Sequence, residues 1–282
     1  MEMKHPTEGE QPERWGGRAG HVWVEKRELL DGLLKPLEEV LVEGLPTGAG
    51  GRVLDVGCGT GSTTVAVARR LGPDGRCVGV DISEPMIGAA RDRAAEAGVA
   101  AAFVVADAAD HPFEPAAFDA VVSRLGVMFF DDSVRAFTHL RRAARDGARL
   151  RFVAWRGADE NPFMTTAERA AAPLVPQLPA RRPDGPGQFA FADADLVRGV
   201  LADSGWGDID IRPVELPCVL PTSELVGYFT KLGPLGMILP DLDEETRPRV
   251  VETVRAAFEP FVHGPEVRFT AACWLVDARA TV

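Results

Sequence analysis

Residues 53–61 read Val53-Leu54-Asp55-Val56-Gly57-Cys58-Gly59-Thr60-Gly61. A short, mostly apolar strand runs there into a turn with glycine at every second position. Glycine has no Cβ, so such a turn lets the backbone pass close beneath a bulky ligand. A helix opens near Thr60 and Ser62, and its first N–H groups face the turn. Further along, Asp81 closes a second apolar run, Val78-Gly79-Val80-Asp81-Ile82. An acid at the end of a second strand is placed to accept hydrogen bonds from ribose hydroxyls. Together these features describe a nucleoside-binding α/β domain.

The glycine spacing narrows the ligand. A dinucleotide turn carries G-x-G-x-x-G with a pyrophosphate on the helix N-terminus. Here Asp55 precedes G-x-G-x-G. Its carboxylate would repel a pyrophosphate and attract a positively charged ligand end such as an amino group. A nucleotide P-loop is excluded, because no Gly-Lys-Ser/Thr follows the turn.

Strand and helix signals alternate around this turn, which predicts a parallel sheet covered on both faces. Strands are expected over 52–56, 77–82, 101–105, 120–123 and 148–155. Helices are expected over 62–71, 84–97 and 133–145, with Gly72-Pro73, Gly98 and Gly147 as stops. An N-terminal helix is expected from 20 to 43, kinked or split by Pro36. Residues 45–51 read as a linker and residues 1–18 as loose chain. After residue 156 the pattern is interrupted by a Pro/Gly-rich stretch with one helical piece over 164–174. It resumes with a helix over 193–204 and a strand over 209–216. A second interruption carries helices over 223–232 and 244–258, before a final strand over 267–276.

Five places in order resemble the class I S-adenosylmethionine-dependent methyltransferases. They are the Val53–Gly61 turn, Asp81-Ile82-Ser83-Glu84-Pro85-Met86, Asp107-Ala108 after Phe103-Val104-Val105, Phe118-Asp119-Ala120-Val121-Val122-Ser123, and the run 140–150. The match covers roughly residues 48–156. A looser likeness, in Ser123–Phe130 and Trp155…Asn161-Pro162-Phe163, points to the ubiquinone/menaquinone-biosynthesis and natural-product-tailoring members. The resemblance implies a Rossmann-like, doubly wound, seven-stranded sheet whose last strand is antiparallel, with helical lid insertions. It divides the chain into an N-terminal cap (1–47), a cofactor-binding core (48–156, 191–217 and 264–282) and two lid insertions (157–190 and 218–263).

It also implies site roles. S-adenosyl-L-methionine, leaving as S-adenosyl-L-homocysteine, would lie along Asp55, Gly57, Cys58, Gly59, Thr60 and Gly61. Asp81 would hold the ribose hydroxyls, Asp107 with Ala108 the adenine amino group, and Ile82 and Met86 the adenine face. Ser123 would border the reacting methyl. On the acceptor side, Trp23, Phe129, Trp155, Asn161, Phe163 and Tyr228 are the expected lining. His21 and His111 are candidate bases, and Arg124 either binds a substrate carboxylate or pairs with Asp131 or Asp132.

Composition sets outer bounds. The chain has 282 residues, 46% of them hydrophobic, enough for a sizeable core. A net charge of −11 argues against a nucleic-acid partner, which needs clustered Lys and Arg. Arg141-Arg142 and Arg181-Arg182 read as a solvated helix face and a loop. Four dispersed cysteines and five dispersed histidines form no metal-ligand spacing and no disulfide framework, which suggests reduced thiols in a cytoplasmic protein. No apolar run reaches the about 18 residues of a membrane span, and the N-terminus is polar. The expected partner is a small-molecule methyl acceptor, and apolar lids would also allow a homodimer. The alternative is a catalytically silent module that binds S-adenosylmethionine or its demethylated product as a regulatory ligand.

Overall fold

The computed structural model describes residues 15–45, 50–179 and 185–281. The start of the loose N-terminal segment, residues 46–49 of the linker and the Arg181-Arg182 pair lie outside the described residues. Three short helices come first, α1 (Arg18–Glu25), α2 (Arg27–Leu33) and α3 (Lys35–Glu43), where the sequence predicts one. Pro36 explains the second break. It has no N–H to give to the preceding turn, and it sits near the start of α3, where a helix tolerates it. The first break, at Lys26, carries no such signal. Glu25 pairs there with Lys231 and Lys26 with Glu224, so the break falls where the N-terminal helices meet the second insertion.

The alternating units follow: β1 (Arg52–Val56), α4 (Ser62–Leu71), β2 (Arg76–Asp81), α5 (Glu84–Ala97), β3 (Ala101–Val105), β4 (Phe118–Arg124), α6 (Ser133–Ala143) and β5 (Ala144–Trp155). Side-chain caps start α5 and α6, from Ser83 and Asp132. Then come α7 (Pro162–Ala171), α8 (Ala194–Asp203), β6 (Trp206–Pro221), α9 (Leu225–Lys231), α10 (Gly233–Ile238), α11 (Thr246–Ala257), β7 (Val262–His263) and β8 (Glu266–Ala280). β6 and β8 are longer than the sequence pattern predicts. They pair with each other from Trp206 opposite Ala280 to Pro221 opposite Glu266.

The sheet order is β3-β2-β1-β4-β5-β8-β6, with β7 paired to β8. β1 to β5 run parallel, and β8 is antiparallel to both β5 and β6. This is the expected seven-stranded sheet with an antiparallel last strand, plus the two-residue β7. Helices cover both faces. Arg151 of β5 points to one, where its guanidinium donates to the carbonyl oxygens of Val40 and Leu41 in α3. Phe152 points to the other, against Phe137 of α6 and Phe191. Arg149, Arg151 and Arg212 converge on Asp277, which joins the N-terminal helices to β5, β6 and β8.

β6 is an edge strand, and Pro213, Pro217 and Pro221 recur along it at every fourth residue, all exposed.

The two insertions leave the sheet at one end. β5 and β6 run in the same direction, since each is antiparallel to β8. α7 therefore leaves β5, and residues 222–263 leave β6, at the carboxyl edge where the glycine turn leaves β1. They form one helical layer in which α7 packs on α11. Phe163 is its centre, stacked on Phe269 at 3.8 Å and touching Tyr228, Phe258 and Phe261. No helix of the described residues is long and apolar enough to cross a membrane.

Candidate functional site

The glycine turn lies at the carboxyl end of β1, between β2 and β4, where doubly wound sheets bind ligands. Gly57, Gly59 and Gly61 all have positive φ, at 67°, 55° and 81°. Their reasons differ. A Cβ on Gly57 would stand 2.7 Å from the Gly126 Cα, and one on Gly61 would stand 2.8 Å from the Ala90 Cβ. Those two glycines let the turn press against the loop after β4 and against α5. A Cβ on Gly59 would have one neighbour within 4 Å, the Met86 sulfur at 3.9 Å. Gly59 alone of the three leaves a face that a ligand can approach.

Asp81 stands beside that face. The Gly59 N–H donates to its Oδ2 at 2.8 Å and the Ser83 N–H to its Oδ1 at 2.9 Å. A carboxylate oxygen has two acceptor sites, so each oxygen keeps one for a vicinal diol. Burial pushes the Asp81 carboxyl up, and the N–H groups of Ser83, Gly59 and Ile82 pull it back. Asp107 is exposed at the end of β3, where its Oδ1 accepts from the Ala109 N–H at 2.8 Å. Val105, two residues earlier, keeps 41% of its surface exposed, an apolar patch suited to a flat ring. The sequence reading passed over Val105 because an apolar residue at a strand end signals core.

Asp55 lies beneath the turn and is 1% exposed. Its Oδ2 accepts from Thr64 Oγ1 at 2.6 Å, and its Oδ1 has no hydrogen-bond partner among the described residues. Burial pushes its carboxyl up to about 7, against the opposing pull of Thr64 and the Arg124 guanidinium. An orphaned buried acceptor under an open turn fits a ligand with a cationic amino end. Thr64 went unnoticed in the sequence, although a threonine in the first turn of α4 is placed to face the preceding strand.

The side chains of several expected ligands are buried or bonded within the fold. Cys58 turns into a small core with Val65, Ile87, Ala90, Ala94 and Phe103. Ala108 and Thr60 are buried, and Ala108 belongs to the main core. Ser123 is wholly buried: its Oγ donates to the Val56 carbonyl at 2.7 Å and accepts from the Gly126 N–H at 3.1 Å. It clamps the loop after β4 onto the glycine turn. Met86 and half-buried Ile82 stay at the site's edge.

The catalytic candidates separate. His111 stays one turn from Asp107, whose carbonyl accepts from its N–H at 2.9 Å, and its ring packs on Phe113. Arg124 pairs with neither Asp131 nor Asp132. Its guanidinium donates to Ser62 Oγ at 2.9 Å and to the Leu34 carbonyl at 3.5 Å, binding α4 to the end of α2. His21 is exposed on α1, and its Nδ1 donates to the Gly17 carbonyl at 3.0 Å, which leaves Nε2 as the acceptor nitrogen.

Of the acceptor-side residues, Trp155 is 3% exposed in the main core. Asn161 is a latch: its Nδ2 donates to the Ala272 carbonyl and its Oδ1 accepts from the Ala272 N–H, both at 2.9 Å. Phe163 is spent on the stack with Phe269. Half-buried Trp23 and Phe129 meet through Trp15, at ring distances of 5.9 and 5.5 Å. Tyr228, also half-buried, reaches the Met164 sulfur at 3.8 Å.

Comparison with known proteins identifies the family. A model described as a methyltransferase domain matches residues 53–147. Demethylmenaquinone methyltransferase of Roseiflexus castenholzii is 32% identical over 180 residues, 59% of this chain and 72% of that protein. This chain is a class I S-adenosylmethionine-dependent methyltransferase. Nocamycin O-methyltransferase of Saccharothrix syringae is 34% identical to the methyltransferase over 117 residues. That match covers 41% of this chain and 42% of that protein, so the chain spans less than half of this relative's length. Among solved structures, one concerned with converting a disulfide bond into a thioacetal group during echinomycin biosynthesis aligns at a TM-score of 0.57 and 25% identity. It covers 87% of the methyltransferase and 81% of that chain. The cofactor of this family is S-adenosylmethionine, and the residues around Gly59 fit it.

Proposed function

We propose that the methyltransferase methylates a small, largely apolar organic acceptor of the quinone-like or natural-product kind, bound between the glycine turn and the helical layer. The observation that carries this reading is the open face of Gly59 beside Asp81 and above the orphaned Asp55 oxygen, with an aromatic group, Trp15, Trp23 and Phe129, close by. The names of the demethylmenaquinone and nocamycin relatives support a small acceptor.

When bound, S-adenosylmethionine supplies an electrophilic methyl group on a sulfonium. The protein's own share is binding, orientation and water exclusion. Asp81 would accept from the ribose hydroxyls, Asp107 from the adenine amino group, and Asp55 would face the cationic amino end. Alignment of donor and acceptor contributes on the order of 7–11 kcal/mol in favourable cases, without covalent participation by the enzyme. The aromatic side chains would exclude water, which stabilises separated charge more than the dispersed charge of the transition state. For an O–H acceptor, His21 Nε2 is the candidate to take the proton. A carbon acceptor would instead need an electron-rich ring of its own.

Calorimetric titration with S-adenosylmethionine and S-adenosylhomocysteine tests the donor site, and a panel of quinols, phenols and enols tests the acceptor. Saturable binding of both with methyl transfer to a panel member is expected. Binding without transfer to any of them would overturn the acceptor class.

A further inference from the structure

α1 runs between the donor site and the second insertion and is fastened to both. At its start, the Trp15 carbonyl accepts from Ser83 Oγ at 2.7 Å, and Ser83 is the residue whose N–H bonds Asp81. Gly20 presses on the same point: a Cβ there would stand 2.0 Å from the Trp15 carbonyl oxygen and 2.7 Å from Ser83 Oγ. The Trp15 ring meets Phe129 edge-on, in the segment after β4. β1 lies between β2 and β4 in the sheet. A residue joined to the loops after β2 and after β4 therefore spans the loop after β1, which is the glycine turn. Further along the helix, Glu25 pairs with Lys231, Lys26 Nζ meets Glu224 Oε2 at 3.3 Å, and Arg18 Nη1 donates to the Met237 carbonyl at 3.4 Å. All three partners belong to the second insertion. Between Trp15 and α1 stand Gly16 and Gly17, a pair with wide backbone freedom.

We propose that Trp15 and α1 form a strap across the methyl-donor site, that Ser83 is the positioning residue that fastens it, and that the strap lifts to let S-adenosylmethionine in and S-adenosylhomocysteine out. This rests on the donor lying at the glycine turn. The bonds run in series from Asp81 through Ser83 and Trp15 to Glu25 and Lys26. An event at the ribose acid is thereby linked to the insertion that covers the acceptor.

The test is the kinetics of S-adenosylhomocysteine binding to the full chain, followed by stopped-flow tryptophan fluorescence. If the strap gates the site, loosening it speeds entry and exit together, whereas damage to the site speeds exit alone. Ser83→Ala is expected to raise both rate constants about tenfold, the effect of one hydrogen bond, with Ser83→Thr near the wild-type rates. Glu25→Lys, remote from the donor site, should also raise both, and the exchanged pair Glu25→Lys/Lys231→Glu should restore them. Glu25→Lys keeps the test decisive if Ser83→Ala folds poorly. Wild-type rates in these variants, or a faster exit with unchanged entry, would overturn the strap and leave the donor site standing. Failure of the wild-type chain to bind S-adenosylhomocysteine would overturn the donor site itself, and the strap with it.

Discussion

Replacing Asp55 by asparagine probes the buried carboxylate under the glycine turn. Burial raises this carboxyl from an ordinary 3.8 to about 7. The folded chain then holds a proton that the unfolded chain has already released between those values. Stability must fall as pH rises through that window, and stay level on this account above about 7. A shift of about 3 units corresponds to on the order of 4 kcal/mol. The asparagine side chain carries no charge and can still accept from Thr64 Oγ1. Asp55→Asn should therefore be more stable than wild type by up to about 4 kcal/mol at pH 8, with the gap closing towards pH 4. Urea unfolding of both proteins across pH 4–9 measures this directly. Stability curves that stay parallel across the range would refute the reasoning. The same linkage governs the ligand. A cationic group beside Asp55 favours its ionised form, so donor binding should release a proton at pH 6 and none at pH 8. Calorimetry in buffers of differing ionisation enthalpy reads that release, and Asp55→Asn should abolish it.

Three other substitutions separate binding from folding. Asp81→Ala should weaken S-adenosylhomocysteine binding by about 1.5–3 kcal/mol with the far-ultraviolet circular dichroism unchanged, and unaltered affinity would remove Asp81 from the ribose. Gly57→Ala should lower stability by about 1–3 kcal/mol through contact with Gly126, beyond the strain of its backbone. Gly59→Ala should cost only that strain, about 1–2 kcal/mol, while impeding the ligand; equal thermal shifts in the two would contradict the assignment of the open face. Asn161→Ala leaves the Ala272 N–H unsatisfied, while the Ala272 carbonyl keeps the Arg156 N–H, and should cost about 1–3 kcal/mol in chemical denaturation. Donor affinity in that variant should not move.

Much of the sheet was legible because its signals are local. Gly72 and Gly98 end α4 and α5 where the sequence reading places the stops, and the limits of β1 and β3 agree to the residue. The positions of Asp55, Gly59 and Asp81 about the turn were likewise readable, since a strand followed by a glycine turn fixes where side chains point. What failed to show in the sequence depends on partners far along the chain. Ser123 and Asn161 look like exposed polar site residues until Val56 and Ala272 come within reach, 67 and 111 positions away. Phe163 reads as a pocket wall until Phe269 lies flat against it. His111 follows Asp107 closely, but its ring is turned onto Phe113, a contact that the sequence does not announce. The break at Lys26 was hidden for the same reason, because its partners sit in the second insertion.

The prolines of β6 bear on how copies of this chain can meet. In an antiparallel ladder, alternate residues turn their N–H groups towards the partner strand and away from it. A proline has no N–H to offer β8, so residues 213, 217 and 221 occupy outward positions, where they delete every second donor that the rim would present. A strand from another molecule arriving at this rim would find carbonyls without matching amides and ring carbons in its way. The longest strand of the sheet is thus a closed border. Strand pairing between two molecules is thereby left to β3, the five-residue strand at the other rim, and every other contact to helix faces or the insertions.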